Sequence, residues 1–311
     1  MKIMFMGTPE ISALCLKRLI DDGKNVVALV TGEDKPRGRG NVMTPTATKK
    51  VALEYGIPVY TPKTLRDGSF SELLSEISPD LIAVVAYGKI LPPEVINFAK
   101  YGCINVHVSL LPKYRGAAPM QRAIMDGESE TGVTIMYMDE GLDTGDIICS
   151  EKFKINDDDD FESIHDRSAE VGARLLSDTI DAIREGRAVR EKQDSSLATY
   201  AKKVEKADCK IDFTLDAKAV DCKIRGVTPI PGAFTFLNGK MIKICREKPI
   251  YNVSGKPGEV VDLDMSGEGK ITVACGNGAI AISSLIPEGK GRMSAGDFIR
   301  GRKIKIGDIL E

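Results

Sequence analysis

The order of apolar runs predicts an α/β protein: a mostly parallel sheet over residues 1–188, a connector at 189–206, and a small β-barrel over 207–311. Three observations carry this. In the first half, short runs rich in Val, Ile and Leu alternate with helical patterns, as in parallel strands covered on both faces. The stretch "AVREKQDSSLATYAKKVEKA" around 188–207 is predominantly polar and reads as a connector. Beyond it, short strands flank Asn-Gly pairs, a strong hairpin signal. The first half is thus Rossmann-like in class.

Taken in order, "KIMFMG" reads as a strand, Pro9–Asp21 as an amphipathic helix and "NVVALVTG" as the next strand. "IPVYTP", "DLIAVVAYG" and "GCINVHVSLL" continue the series, with helical patterns at 45–55, 69–77 and 92–100. "TGVTIMYMD" and "GDIICSEKF" read as later strands, and Phe161–Glu185 as a long helix. The acidic run Asp157–Asp160 before that helix suits an N-cap and the helix dipole better than a metal site. In the last third, Asp216–Arg225 is helical. "GAFTFL" and "KMIKICR" flank Asn238-Gly239, "KITVAC" and "AIAISSL" flank Asn277-Gly278, and "GEVVDL" adds a strand. Five short strands with short helices suggest a barrel. There is no internal repeat.

Composition narrows the function. The 311 residues are 42% hydrophobic and 28% charged, ordinary for a soluble protein. No run approaches the roughly 20 apolar residues that span a bilayer. The N-terminal apolar stretch is broken by Pro9 and Glu10, unlike a signal peptide. Seven scattered cysteines without Cys-x-x-Cys read as reduced core residues, not as disulfides or a zinc site. A cytoplasmic protein without membrane partner or metal is expected. Residues 201–311 hold 19 basic and 14 acidic side chains, a balance of +5 against −7 for the rest, which would favour a polyanion at that end. Gly-x-x-x-x-Gly-Lys-Ser/Thr is missing, and neither Gly38-Arg39-Gly40 nor Gly276-Asn277-Gly278 joins a strand to a helix. ATP-driven chemistry and dinucleotide binding therefore lack support.

One strand departs from the pattern. "INVHVSLLP" places Asn105, His107 and Ser109 on one face, and Ile104, Val106 and Val108 on the other. Polar groups on a covered sheet must be satisfied internally or face a cavity, and cavities lie beyond the carboxyl ends of parallel strands. The competing reading is an edge strand with an exposed histidine. The neighbouring segments "AYGKILP" and "DEGLDTGD", a turn and an acid-bearing glycine loop after two other strands, favour the cleft. A carboxylate there could orient the imidazole, and an asparagine amide could donate to a developing oxyanion. That inventory suits acyl transfer without a covalent intermediate. Ser109 as nucleophile lacks Gly-x-Ser-x-Gly, and His165, on the long helix, reads as structural.

"INVHVSLLPKYRGAAPMQ", with Asp143 of "GLDTGD" 36 residues after His107, resembles the 10-formyltetrahydrofolate-dependent formyltransferases. The resemblance covers the whole chain. It implies a formyltransferase catalytic domain over 1–188 in which Asn105, His107 and Asp143 form the catalytic group. It further implies that Ser109, Leu110, Leu111 and Pro112 contact folate, while Ile90 and Leu91 of "YGKILP" line the pterin pocket. The formyl donor would be 10-formyltetrahydrofolate, used as a cosubstrate.

Two regions point to the branch acting on methionyl-tRNA. "GEDKPRGRGNVMTPTATKK", Gly32–Lys50, is a glycine-rich basic loop whose arginines suit contacts to a phosphate backbone. It resembles the insertion with which that branch grips the acceptor end of initiator methionyl-tRNA. Lys35, Arg37, Arg39, Lys49 and Lys50 would bind the tRNA, with Arg39 as the best match to the key arginine. The second region, 207–311, resembles the branch's OB-like, tRNA-binding C-terminal domain. Phe213 stands where many members have tryptophan, a packing change. The protein is expected to act as a monomer. The alternatives are a formyltransferase for sugar-nucleotide or ribonucleotide amines, a formyltetrahydrofolate hydrolase, or a non-catalytic RNA-binding protein on the same scaffold.

Overall fold

The computed structural model describes residues 1–37 and 40–311; of Arg37 and Arg246 only the backbone is described. The chain divides into two compact units. The first comprises 1–119, 130–153 and 165–201, and the second 120–129, 154–164 and 202–311.

In the first unit the long-range frame is a seven-stranded sheet. Its strands are β1 (Ile3–Gly7), β2 (Val26–Val30), β5 (Val59–Tyr60), β6 (Leu81–Val85), β7 (Cys103–His107), β9 (Glu130–Tyr137) and β10 (Ile147–Lys154). Two small pairs accompany it: the hairpin β3 (Lys35–Arg37) with β4 (Val42–Thr44), and β8 (Arg115–Gly116) with β11 (Tyr200–Ala201). The sheet order is β10-β9-β7-β6-β1-β2-β5. The pairs of β1 with β2 and β6, of β2 with β5, and of β6 with β7 are parallel, whereas β7 and β9 are antiparallel. The runs "IMFMG" and "LIAVV" are buried along their whole length because helices cover both faces. On one face, α1 (Glu10–Asp21) and α6 (Phe161–Arg184) contribute Cys15, Leu16, Leu19, Leu176, Ile180 and Ile183 to a core with Ile104 and Val106. On the other, α3 (Gly68–Ile77) and α4 (Pro93–Ile96) contribute Phe70, Leu74, Val95 and Ile96 to a core with Cys103.

Two details position the site. The chain passes from β1 outward through β2 to β5, then returns beside β1 with β6 and moves outward to β7. The carboxyl ends of β1 and β6 therefore flank a topological switch point, where open α/β sheets hold their ligands. Gly7 ends β1 there, and a Cβ on it would lie 2.7 Å from both Ser12 Cβ and the Val85 carbonyl. Second, α4 is far shorter than the helix expected over 92–100. Asn97 caps it after one turn, because the chain must fold back into β7 with Tyr101 N–H donating to Asp80 O. Between β4 and β5, α2 (Ala47–Glu54) starts at Thr46, whose hydroxyl accepts from Lys49 N–H.

The second unit is built on an antiparallel sheet of β12 (Ala233–Leu237), β13 (Lys240–Ile250), β14 (Val260–Asp264), β15 (Lys270–Ala274) and β16 (Ala279–Pro287), with β17 (Met293–Ser294) on β16. Asn238 and Gly239 both take positive φ (51° and 73°), the primed turn whose twist suits a two-residue hairpin. The order β12-β13-β16-β15-β14 leaves β12 and β14 as edges, and residues 307–311 pair with both. Leu310 bridges Leu237, and Ile309 bridges Glu259, which closes the barrel. Three further helices are α5 (Pro119–Met125), α7 (Ala217–Val227) and α8 (Ala295–Arg300). Val220, Ile224 and Val227 of α7 fill the barrel core with Phe298 of α8 and Phe213, so the phenylalanine at 213 is a packed residue.

Glu247 of β13 is buried beside Asp221 and Arg225 of α7. Arg225 Nε donates to Asp221 Oδ2 at 2.9 Å. Burial, and then repulsion from Asp221, push the Glu247 carboxyl up to about 8, against the attraction of Arg225. The folded chain therefore holds a proton that the unfolded chain releases near the ordinary glutamate value. This group's contribution to stability falls as pH rises from about 4.5 to about 8, by at most about 1.4 kcal/mol per unit. Glu247→Gln should remove this loss. Its melting temperature should exceed that of the parent by more at pH 8 than at pH 5, and an equal difference at both would contradict the assignment.

Candidate active site

The polar face of β7 follows from the cover that α4 does not provide. Cys103 packs under α3 and α4, and two and four residues later Asn105 and His107 lie on the same face, past the end of the short helix. Asn105 sits between Val84 of β6 and Met136 of β9. It is half-buried, and its amide has no side-chain hydrogen bond among the described residues.

His107 is 5% exposed and has an acceptor at each nitrogen. Nε2 is 3.0 Å from the Tyr114 carbonyl, which can only accept, so Nε2 carries a hydrogen. Nδ1 faces Asp143 Oδ2 at 3.6 Å, an ion-pair separation just beyond a hydrogen bond. Asp143 stands at a positive φ of 53°, a conformation that aspartate tolerates better than most residues, and its Oδ2 also accepts from Gly116 N–H at 2.8 Å. The imidazole is thus held between the loop after β7 and the loop between β9 and β10.

The other expected folate residues take different positions. Ser109 is fully buried, and its hydroxyl donates to Lys113 O at 2.7 Å, so it shapes the turn that contains Leu110 and the cis Leu111–Pro112 peptide. Leu110 packs over Gly132 of β9, Pro112 is half-buried, and Leu111 is buried with its N–H on Thr134 Oγ1. Ile90 is 82% exposed and Leu91 buried. Both line a cavity of about 630 Å³ with Leu65, Arg66, Pro92 and Glu140, a size that suits a small-molecule site.

The polar connector at 189–206 is built into the site. Gln193 donates from Nε2 to Asp143 O and Gly145 O at 2.9 and 2.8 Å, and its Oε1 accepts from Arg115 Nε and Nη2 at 3.1 and 2.7 Å. Thr199 accepts from Tyr114 N–H and Arg115 N–H, and Tyr200–Ala201 pairs with Arg115–Gly116. Gly116 has φ 118°, and a Cβ there would lie 2.9 Å from Ala201 O, so the strap lies flat on this turn. Arg190 stacks on the Tyr137 ring at 3.6 Å from its centroid.

The formyl transferase family model matches residues 1–180, and the formyl transferase C-terminal domain model matches 203–303. A methionyl-tRNA formyltransferase from Citrifermentans bemidjiense is 47% identical over 310 residues, covering 100% of this chain and 96% of that one. This chain belongs to the methionyl-tRNA formyltransferase family. Solved structures agree in fold. An N-formyltransferase from Helicobacter canadensis in complex with folinic acid and dTDP-3-aminofucose superposes with a TM-score of 0.69 at 20% identity, covering 91% of this chain and 98% of that one. A HypX variant from Aquifex aeolicus gives 0.65 at 21% identity over 97% of this chain, which spans 49% of that longer protein.

In this formyltransferase the basic loop is anchored from below. The buried hydroxyls of Thr31, Thr46 and Thr48 lie within 3.3 Å of one another, and Thr48 donates to Gly7 O at the end of β1. Of the expected tRNA residues, Lys35 and Lys50 are exposed, and Lys49 pairs with Asp34 at 2.7 Å. Arg39 lies outside the described residues, as does the side chain of Arg37. Among the described residues, no cluster of three His, Cys, Asp or Glu side chains could hold a metal, and no helix is long and apolar enough to cross a membrane.

Proposed function

We propose that this chain transfers the formyl group of 10-formyltetrahydrofolate to the α-amino group of methionine on initiator tRNA. The observation that carries the reading is likeness to methionyl-tRNA formyltransferases along the full chain, in a fold that puts His107 beside Asp143 at the end of β7, the strand next to β6. The neutral amine attacks the formyl carbon on N10, and a tetrahedral oxyanion forms. The free amide of Asn105 donates to that oxygen. The C–N10 bond then breaks, and N10 leaves with a proton delivered by His107, whose cation Asp143 stabilises. His107 Nε2 reaches N10 by exchanging the Tyr114 carbonyl for it. The attacking nitrogen sheds its extra proton.

The pterin enters the cavity beside Ile90 and Leu91, and Leu110, Leu111 and Pro112, with Ser109 beneath them, shape the neighbouring wall. Lys35, Arg37, Arg39 and Lys50 meet the tRNA, with Lys49 released from Asp34 to join them. The barrel adds a second basic surface. On this reading the enzyme works as a monomer in the cytoplasm, without a metal. The test is a mixture of the protein and 10-formyltetrahydrofolate with charged initiator tRNA, a sugar-nucleotide amine or water as acceptor. Formylmethionyl-tRNA should form at a rate at least roughly 10³-fold above either alternative, a margin that a site built around a specific acceptor can reach. Preferred formylation of the free amine would overturn the acceptor and leave the formyl transfer standing.

A further inference from the structure

We propose that Gln193 is a positioning residue for the acid–base pair, fixing the loop that aims the Asp143 carboxylate at His107. The inference rests on the catalytic reading of His107 and Asp143 given above. Its basis is the complete use of one side-chain amide. Carbonyl oxygens only accept and a guanidinium only donates, so the partners settle which end of the amide faces which. The NH₂ end holds Asp143 O and Gly145 O, and the oxygen holds Arg115 Nε and Nη2. Arg115 is the residue before Gly116, whose N–H binds Asp143 Oδ2, and the residue after Tyr114, whose carbonyl binds His107 Nε2. One amide therefore ties together the two turns that present acceptors to the two imidazole nitrogens.

Chemistry explains why glutamine suits this place. Arg115 is 2% exposed, and its side chain has Gln193 Oε1 and Ser195 Oγ as partners, with no carboxylate paired to it among the described residues. A group that accepts from the guanidinium and also donates twice must be an amide. Glutamate would satisfy Arg115 better, as an ion pair, but would turn an acceptor toward two carbonyl oxygens. Asp143, already at positive φ, would then lose both backbone anchors on its loop. A carboxylate misplaced by even about 1 Å can cost roughly 10²-fold in rate.

Gln193→Glu separates positioning from folding, because the Arg115 contact survives. Gln193→Met, of similar volume, removes both kinds of bond and serves as the second variant. With 10-formyltetrahydrofolate and charged initiator tRNA, each is expected to lower kcat by roughly 10- to 100-fold, with KM for the folate changed by less than about threefold. In an Asp143→Asn background, single-turnover rates should show little further loss from Gln193→Glu, since the carboxylate to be aimed is already gone. A normal kcat in both variants would overturn the inference. So would the same fold-loss in both backgrounds, the mark of a general structural effect. A normal kcat in Asp143→Asn alone would remove the catalytic reading beneath it, an outcome distinct from either.

Discussion

His107→Ala and Asp143→Ala are each expected to lower turnover by roughly 10²- to 10⁴-fold, the range for positioned acid–base groups. Neither side chain belongs to an apolar core, His107 ending β7 and Asp143 lying in the loop before β10, so thermal unfolding should show folded variants. The two losses differ in origin. His107→Ala removes the proposed proton donor itself. Asp143→Ala removes the partner of the imidazolium and also frees Gly116 N–H. Asp143→Asn separates these effects, because its amide oxygen can still accept from Gly116 while the charge is gone. A loss in Asp143→Asn close to that of Asp143→Ala would identify charge as the main contribution. Because the pair acts as a unit, the double alanine variant should lose far less than the product of the single losses. Turnover near normal in both single variants would place the chemistry elsewhere.

What could be read in advance, and what could not, follows from the range of the interactions. The alternation in "INVHVSLL" is local, and by itself it puts Asn105 and His107 on one face. Fully buried β1 and β6 likewise follow from their own apolar runs. Ser109 is less legible: the same alternation aims it with His107, but β7 ends at His107 and a bond to Lys113 O, four residues on, draws its hydroxyl into the following turn. Gln193 was harder still. Its partners lie 48 to 78 residues away, and among Arg190, Glu191, Lys192 and Asp194 nothing marks it out. A polar connector looks solvated because its own sequence carries no periodicity, while its hydrogen bonds are made to other loops. Residues 120–129 and 154–164 belong with the second unit, and hydropathy alone does not say which core an apolar segment joins.

Neutralising the basic loop should cut tRNA affinity and its salt dependence together, leaving folate binding intact. Each phosphate contact releases condensed counterions, so log K falls with log salt by about 0.7 to 0.9 per contact. Replacing Lys35, Arg37 and Arg39 by glutamine should therefore lower that slope by roughly two to three, and weaken binding by roughly 10²- to 10³-fold near 50 mM salt. Lys49 differs from these three, since it must first leave Asp34, and its replacement alone should change the slope by less than the roughly 0.7 of a full contact. A residual slope should persist in the triple variant, carried by the basic excess of residues 201–311. The loop stands on the threonine cluster bonded to Gly7 O at the end of β1, and none of the substituted side chains belongs to that cluster. The cavity beside Ile90 and Leu91, proposed above for the pterin, should therefore take up folate as before. An unchanged slope in the triple variant would show that the loop does not meet phosphates. Loss of folate affinity in parallel would show that its charges support the pocket instead.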